Sequence, residues 1–142
     1  MKLEIIDPNN QLDHPFIKWL IKQIQKYCIS HMRADKLKRW DTYFSTKQFR
    51  SIYKKHIKAR DILTAGIYNL TYIHAGEAIQ IQINPNTNMV GFDRIKISSL
   101  CRLINYGNQE ISGYPILTDV FQHFSEEFTT YLEAYIRDEG GL

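Results

Sequence analysis

Residues 98–116, with the sequence SSLCRLINYGNQEISGYPI, decide how the rest of this chain is arranged. Ser98 is a suitable N-cap residue, and four apolar side chains follow it at helical spacing, namely Leu100, Cys101, Leu103 and Ile104. Gly107 and Asn108 predict the end of this short helix, because both residue types tolerate the left-handed backbone conformation. Pro115 then fixes the chain direction again. The stretch therefore predicts a corner between two helices.

A long amphipathic helix is predicted after Pro115. Its apolar stripe consists of Leu117, Val120, Phe121, Phe124, Phe128, Tyr131, Leu132 and Tyr135. The polar side chains on the rest of the helical wheel include Gln122, Glu126, Glu127 and Glu133. This separation of two faces predicts one continuous C-terminal helix with its apolar stripe on the core.

The order of parts in residues 102–121, RLINYGNQEISGYPILTDVF, resembles the signature of the tail-completion, or neck, proteins of long-tailed bacteriophages. In that family a short helix ends in an aromatic-Gly-Thr turn, and a Pro after a polar loop opens the last helix. Tyr106, Gly107 and Pro115 match this pattern, whereas Asn108 stands where the family usually has Thr. After the Pro the family often continues with an aromatic residue, an Arg and a second Pro, but this chain continues ILTD. Upstream, AGI at residues 65–67 resembles the Gly-containing start of the family's strands, so the resemblance covers roughly residues 62–136.

The resemblance implies a structural virion protein that assembles as a homo-oligomeric ring, often sixfold, where the phage head meets the tail. The implied partners are the neighbouring head connector, the tail tube or terminator proteins, and packaged DNA. The protein would be made in the host cytoplasm and leave with the particle. Tyr106, Gly107, Asn108 and Pro115 would then be structural residues of the corner. A tail terminator or a head-side adaptor of the same region remains an alternative.

Length and composition predict a single folded domain covering residues 1–142. A chain of 142 residues with 44% hydrophobic and 13% aromatic content can bury one core. Charge divides this domain into two halves: residues 1–65 hold 14 Lys and Arg against 6 Asp and Glu, and residues 66–142 hold 4 against 9. The balances of +8 and −5 add up to the net charge of +3. Such polarity indicates either a balance for solubility or two faces for different partners.

The basic half is predicted to be mainly helical. Residues 2–7 form an edge strand or an arm, and residues 14–32 form a helix with Asp13 as cap and Pro15 in its first turn. Lys18, Lys22 and Lys26 make one side of that helix basic, which is typical of a solvated face and less often of a binding surface. The aromatic side chains of residues 33–44 either anchor a short helix or stack on bases.

A second amphipathic helix is predicted over residues 45–63, with Ser45 as its cap. Its cationic side chains include five candidate contacts with DNA or with an acidic partner, namely Lys47, Arg50, Lys54, Lys55 and Lys58. The chain contains no zinc-finger spacing, RNP-like motif or clear helix-turn-helix. A small basic nucleic-acid-binding protein is therefore the second hypothesis for function, and an intracellular interaction or inhibitor protein is the third.

The remaining segments predict an antiparallel sheet. Residues 68–74 and 78–83 read as two strands of a hairpin, and an NPNTN turn at 84–88 precedes a further strand at residues 89–92, extended by 95–97. Gln80 and Gln82 make the outer face polar, which is compatible with ring assembly by edge pairing. The expected fold class is thus α+β: two N-terminal amphipathic helices, a small antiparallel sheet of two to four strands, a short corner helix and a long C-terminal helix.

Chemistry-bearing motifs do not accompany this architecture. Cys28 and Cys101 lie on apolar helix stripes, which favours buried free thiols over a disulfide and predicts a reducing compartment. Cys28 and His31 have no matching second ligand pair, and there is no nucleophile elbow or phosphate-binding loop. We therefore expect no enzyme activity, no cofactor and no metal. We also expect no signal peptide and no membrane span.

Overall fold

The computed structural model describes residues 1–53, 57–88 and 95–139. Within these ranges the chain forms seven helices and one three-stranded antiparallel sheet, so it is a mixed α and β protein as the sequence predicts. In chain order the elements are β1 (Lys2–Ile6), α1 (His14–Ser30), α2 (Ala34–Phe44), α3 (Lys47–Tyr53), α4 (Ala59–Ile67), β2 (Leu70–Ala75), β3 (Ala78–Ile83), α5 (Ile97–Tyr106), α6 (Ile116–Glu126) and α7 (Phe128–Glu139).

The sheet has the strand order β1-β3-β2, with β3 in the centre. Residue 2 of β1 pairs with residue 82 of β3, and residue 70 of β2 pairs with residue 83. Alternation along the strands directs Leu3, Ile5 and the three isoleucines of β3 towards one face, where they are buried. The predicted edge strand at the N-terminus is confirmed. It supplies the third strand, and it pairs with the chain's own sheet.

Residues 95–97 do not extend a strand, so that prediction is wrong. Lys96 makes an isolated bridge to Asn88, and α5 begins at Ile97, whose N–H donates to Thr87 O at 3.0 Å. The predicted strand at residues 89–92 lies outside the described residues. Because Lys96 precedes the first helical residue, Ser98 lies inside α5 and is not its N-cap.

The predicted second amphipathic helix is divided in the structure. Ser45 flanks the C-terminal end of α2, and α3 begins two residues later. Ile57 and Lys58 are not helical, and α4 begins at Ala59 and ends at Ile67. The sequence AGI at residues 65–67 is therefore helical and is not the start of a strand. Asp41 of α2 explains why α4 starts here. Its Oδ1 accepts the N–H of Ala59 at 2.7 Å, and this satisfies one of the free backbone donors at the N-terminus of α4. The N-terminal half therefore contains four described helices instead of two.

The C-terminal helix is also divided, at Glu127. Its backbone, with φ −99° and ψ 15°, separates α6 from α7. This break allows α7 to pack against α1: Tyr135 and Phe128 lie edge-on to Phe16, with ring centroids 5.2 and 5.9 Å apart. The predicted single long helix is therefore wrong, although its apolar side chains do face the core.

One hydrophobic core joins the sheet to the helices. Its largest fully buried side chains include Trp40 and Phe44 of α2, Phe16 of α1 and Phe124 of α6. The aromatic residues of segment 33–44 thus anchor a helix, as one of the two interpretations predicts. No helix among the described residues has the length and apolar character needed to span a membrane.

Candidate interaction site

The corner begins where α5 ends, at Gly107. This glycine has φ 73°, and its N–H donates to Leu103 O at 2.7 Å. A residue with a Cβ rarely adopts this backbone conformation, so the predicted helix end at Gly107 is confirmed. An isolated antiparallel bridge then pairs Gly107 with Ser112, which folds residues 107–112 back on themselves.

Gly113 packs directly against the backbone at the end of α5. A Cβ on Gly113 would lie 2.6 Å from the carbonyl carbon of Tyr106 and closer still to Asn105 O. A Cβ on Gly107 would lie 2.5 Å from Ile111 O and would also collide with Gly113 N. The two glycines therefore allow the two sides of the loop to touch, backbone against backbone.

Asn108 supports the loop through its side chain. Among the described residues Asn10 is the only non-glycine residue with positive φ, so Asn108 does not adopt the left-handed conformation that its residue type tolerates. Its Oδ1 instead accepts N–H groups of Glu110 and Ile111 at 2.8 and 3.0 Å. Its Nδ2 donates to Tyr43 Oη at 2.8 Å, which connects the loop to α2.

The sequence patterns miss Asn105, which joins the two helices of the corner. Asn105 is 2% exposed, its Nδ2 donates to Thr118 Oγ1 at 2.7 Å, and its Oδ1 accepts the Thr118 N–H at 3.1 Å. Thr118 lies in the first turn of α6, a helix that begins directly after Pro115. Asn105 therefore satisfies one of the backbone N–H groups left free at the start of this helix. The only signal in the sequence was a polar residue at a helix position next to apolar ones.

Tyr106 and Tyr114 face in different directions. Tyr106 is 53% exposed, with the Arg102 guanidinium 5.3 Å from its ring centroid. Tyr114 is buried, and its hydroxyl accepts the Arg33 N–H at 3.0 Å. Burial raises the pKa of Tyr114 from 10.0, and the hydrogen bond from Arg33 offsets part of that rise. Tyr114 thereby ties the corner to the start of α2, and Tyr106 remains accessible to a partner.

The predicted basic contacts lie on other elements. Lys47 and Arg50 are exposed on α3 and line a shallow depression, and exposed Lys58 immediately precedes α4. Lys54 and Lys55 lie outside the described residues. The corner residues are therefore assembled into one unit, whereas Lys47 and Arg50 form a separate basic surface on α3.

Acidic side chains are concentrated on the last two helices and the residue between them. Asp119, Glu126, Glu127 and Glu133 are exposed there. Within the described part of the chain the ion pairs join near neighbours only, Arg33 with Asp35 and Arg137 with Asp138. Among the described residues, therefore, no ion pair joins the basic half to the acidic half, and these exposed charges can face partners.

The cysteines are buried free thiols, as expected. Burial raises the pKa of Cys28 and of Cys101 from 9.0 to about 12, so both are protonated and inert near neutral pH. Across residues 1–53, 57–88 and 95–139, no group of three or more His, Cys, Asp or Glu side chains could hold a metal ion. No protein-family model, curated protein or solved structure matches this chain.

Proposed function

We propose that this chain is a structural protein of a tailed bacteriophage particle, a tail-completion or neck component that forms a ring at the head-tail junction. The observation that carries the proposal is the corner. Gly107 ends α5, Gly113 packs on its backbone, and α6 begins directly after Pro115. These parts occur in the order that the resemblance to the neck family implies, and they fix the direction of α6.

The function follows from shape and charge, without a chemical reaction. Copies of the chain would meet through unlike surfaces, because a ring requires a head-to-tail contact. The basic surface with Lys47 and Arg50 and the acidic exposed side chains of α6 and α7 are complementary in charge. Complementary charge guides docking and register more than it adds affinity. The remaining surfaces would meet the head connector on one side and tail tube or terminator proteins on the other.

Light scattering across protein concentration, at low and moderate salt, tests the role of the basic surface. The double variant Lys47→Glu/Arg50→Glu is expected to lower the assembled fraction, because four units of charge change at the proposed contact. The double variant Lys18→Glu/Lys22→Glu changes the net charge equally on α1 and is expected to assemble like the unmodified chain. Equal assembly of all three proteins would contradict the proposed contact.

Nucleic-acid binding is the second candidate function, favoured by the exposure of Lys47, Arg50 and Lys58. Packaged DNA would also be within the reach of a neck protein, so DNA contact and ring formation are compatible. Fluorescence anisotropy with labelled duplex DNA measures DNA affinity and, together with light scattering, shows whether DNA binding occurs without ring formation. Affinity that falls steeply with salt, in a protein that stays monomeric, would favour this candidate over the ring.

A further inference from the structure

One edge of the sheet carries free backbone groups. The N–H of Asn84 donates to Asn69 O at 2.8 Å, so these two residues form a hydrogen-bonded pair. In an antiparallel ladder such pairs alternate with pairs that have no hydrogen bond between them. With the observed register, residues 71, 73 and 75 bond to β3. The backbone groups of Leu70, Tyr72 and His74 therefore point away from the sheet, and β2 has no further strand beside it among the described residues.

A groove runs along this free edge, with α1 as its other wall. Its volume is about 340 Å³, and the side chains that line it include Lys18, Ile21, Lys22, Leu70 and Tyr72. A second depression of about 410 Å³ shares Lys22 with it and continues past Lys26 to exposed Tyr68. The groove thus combines a strand edge that can accept hydrogen bonds with an apolar lining and a row of lysines.

The lysines have a spacing that suits a strand. Lys18, Lys22 and Lys26 are four residues apart, which on a helix is a rise of about 6 Å for each step. Side chains on one face of a strand repeat every two residues, or about 6.6 Å. His14 contacts Tyr72, and Lys26 lines the depression that reaches Tyr68, so the lysine row follows the edge from Tyr72 towards Tyr68. A strand added beside β2 would therefore bring alternate side chains close to Lys18 and Lys22, which line the groove with Leu70 and Tyr72. None of the three lysines has an ion pair within the part of the chain that the structure describes.

We propose that this groove binds an extended segment of a partner protein as a fourth strand, with acidic side chains at alternate positions. The main chain of the segment would bond to Leu70, Tyr72 and His74. Its acidic side chains would face the lysines of α1, and the intervening side chains would lie beside Ile73, which is 45% exposed and favours apolar neighbours. This proposal does not rest on ring formation.

A synthetic capped peptide in which glutamate alternates with valine tests the proposal. We expect binding by the unmodified chain that weakens with salt, and slower hydrogen exchange at the amides of Leu70, Tyr72 and His74. A peptide of the same length with lysine in place of glutamate should not bind. Binding without slower exchange on β2 would contradict strand addition, because charge alone would then account for it. No binding would overturn the proposal.

Two variants separate the charges from the strand edge. Lys18→Glu/Lys22→Glu is expected to weaken binding roughly tenfold or more, and the matched control Lys47→Glu/Arg50→Glu should leave it unchanged. His74→Pro removes one outward N–H at an exposed position and should weaken binding while the sheet remains folded. If His74→Pro instead converts a dimer of the unmodified chain to a monomer, the edge is covered by a second copy and the proposal fails.

Discussion

Gly107 and Gly113 show how single residues set the direction of α6. Both lie where a Cβ would collide with backbone atoms, which cannot move aside as a flexible side chain can. Asn105 then holds the first turn of α6 through two hydrogen bonds to Thr118. The sequence predicts the role of Gly107, because Gly at a helix end is a local signal. It does not predict the role of Asn105, because the partner is thirteen residues away and is fixed only by tertiary packing.

Gly76 provides a comparison for the corner glycine. It has φ 62°, similar to the 73° of Gly107, but a Cβ there would meet no atom within 4 Å. Gly76→Ala is expected to lower the free energy of unfolding by about 1 kcal/mol through backbone strain alone. Gly107→Ala adds the collision, and it also places a Cβ on a backbone with φ 73° and ψ −169°, which is essentially restricted to glycine, so it should cost roughly 3 kcal/mol. Urea denaturation measures both values, and equal losses would contradict the close contact at the corner.

The buried cysteines predict a loss of stability at alkaline pH. Burial raises the pKa of each thiol to about 12 in the folded chain, whereas the ordinary value is 9.0. Above pH 9 the unfolded chain therefore releases protons that the folded chain retains, and the free energy of unfolding falls as pH rises. Between about pH 8 and about pH 10 the two cysteines together should lower the free energy of unfolding by about 3 kcal/mol.

Urea denaturation at several pH values measures this slope. The variant Cys28→Ala/Cys101→Ala should be less stable at neutral pH, because two core side chains become smaller, but its stability should change much less over the same interval. An identical slope in both proteins would show that the thiols do not cause the loss.

At the scale of elements, the sequence predicts the existence of helices better than their limits. The apolar period over residues 117–135 continues through Glu127, so it contains no sign of the break between α6 and α7. The break depends on Phe16 and Trp19 of α1, against which Tyr135 packs. The start of α4 likewise depends on Asp41 in another helix. The strands of the hairpin were predictable, because alternation and the turn are local features.

Tyr135 is expected to be the main attachment of α7. It is the one buried residue of that helix, and its ring centroid lies 5.2 Å from that of Phe16 and 5.4 Å from that of Trp19. Tyr135→Ala should lower the free energy of unfolding by roughly 3 kcal/mol and release α7 first. Hydrogen exchange should then become faster over α7 but remain slow in β3. Tyr106→Ala, at an exposed position, serves as the control, and uniform acceleration in all elements would contradict local release.

At the scale of the whole molecule, the two halves differ in charge and in what they can contact. Basic side chains are exposed on α1, α2 and α3, and acidic ones on α6 and α7, while the core joins all these helices to one sheet. The charge division was readable from the sequence, because charged side chains are rarely buried. The free edge of β2 was not, because it depends on which strand pairs with β3.

Ring formation is the central claim, and negative-stain electron microscopy of the purified chain, alone and mixed with DNA, tests it most directly. Molecular mass from light scattering on the same samples establishes the number of copies. We predict rings with an open centre, with or without DNA. A chain that remains monomeric at all concentrations, and binds DNA with an affinity that falls steeply with salt, would contradict the neck assignment.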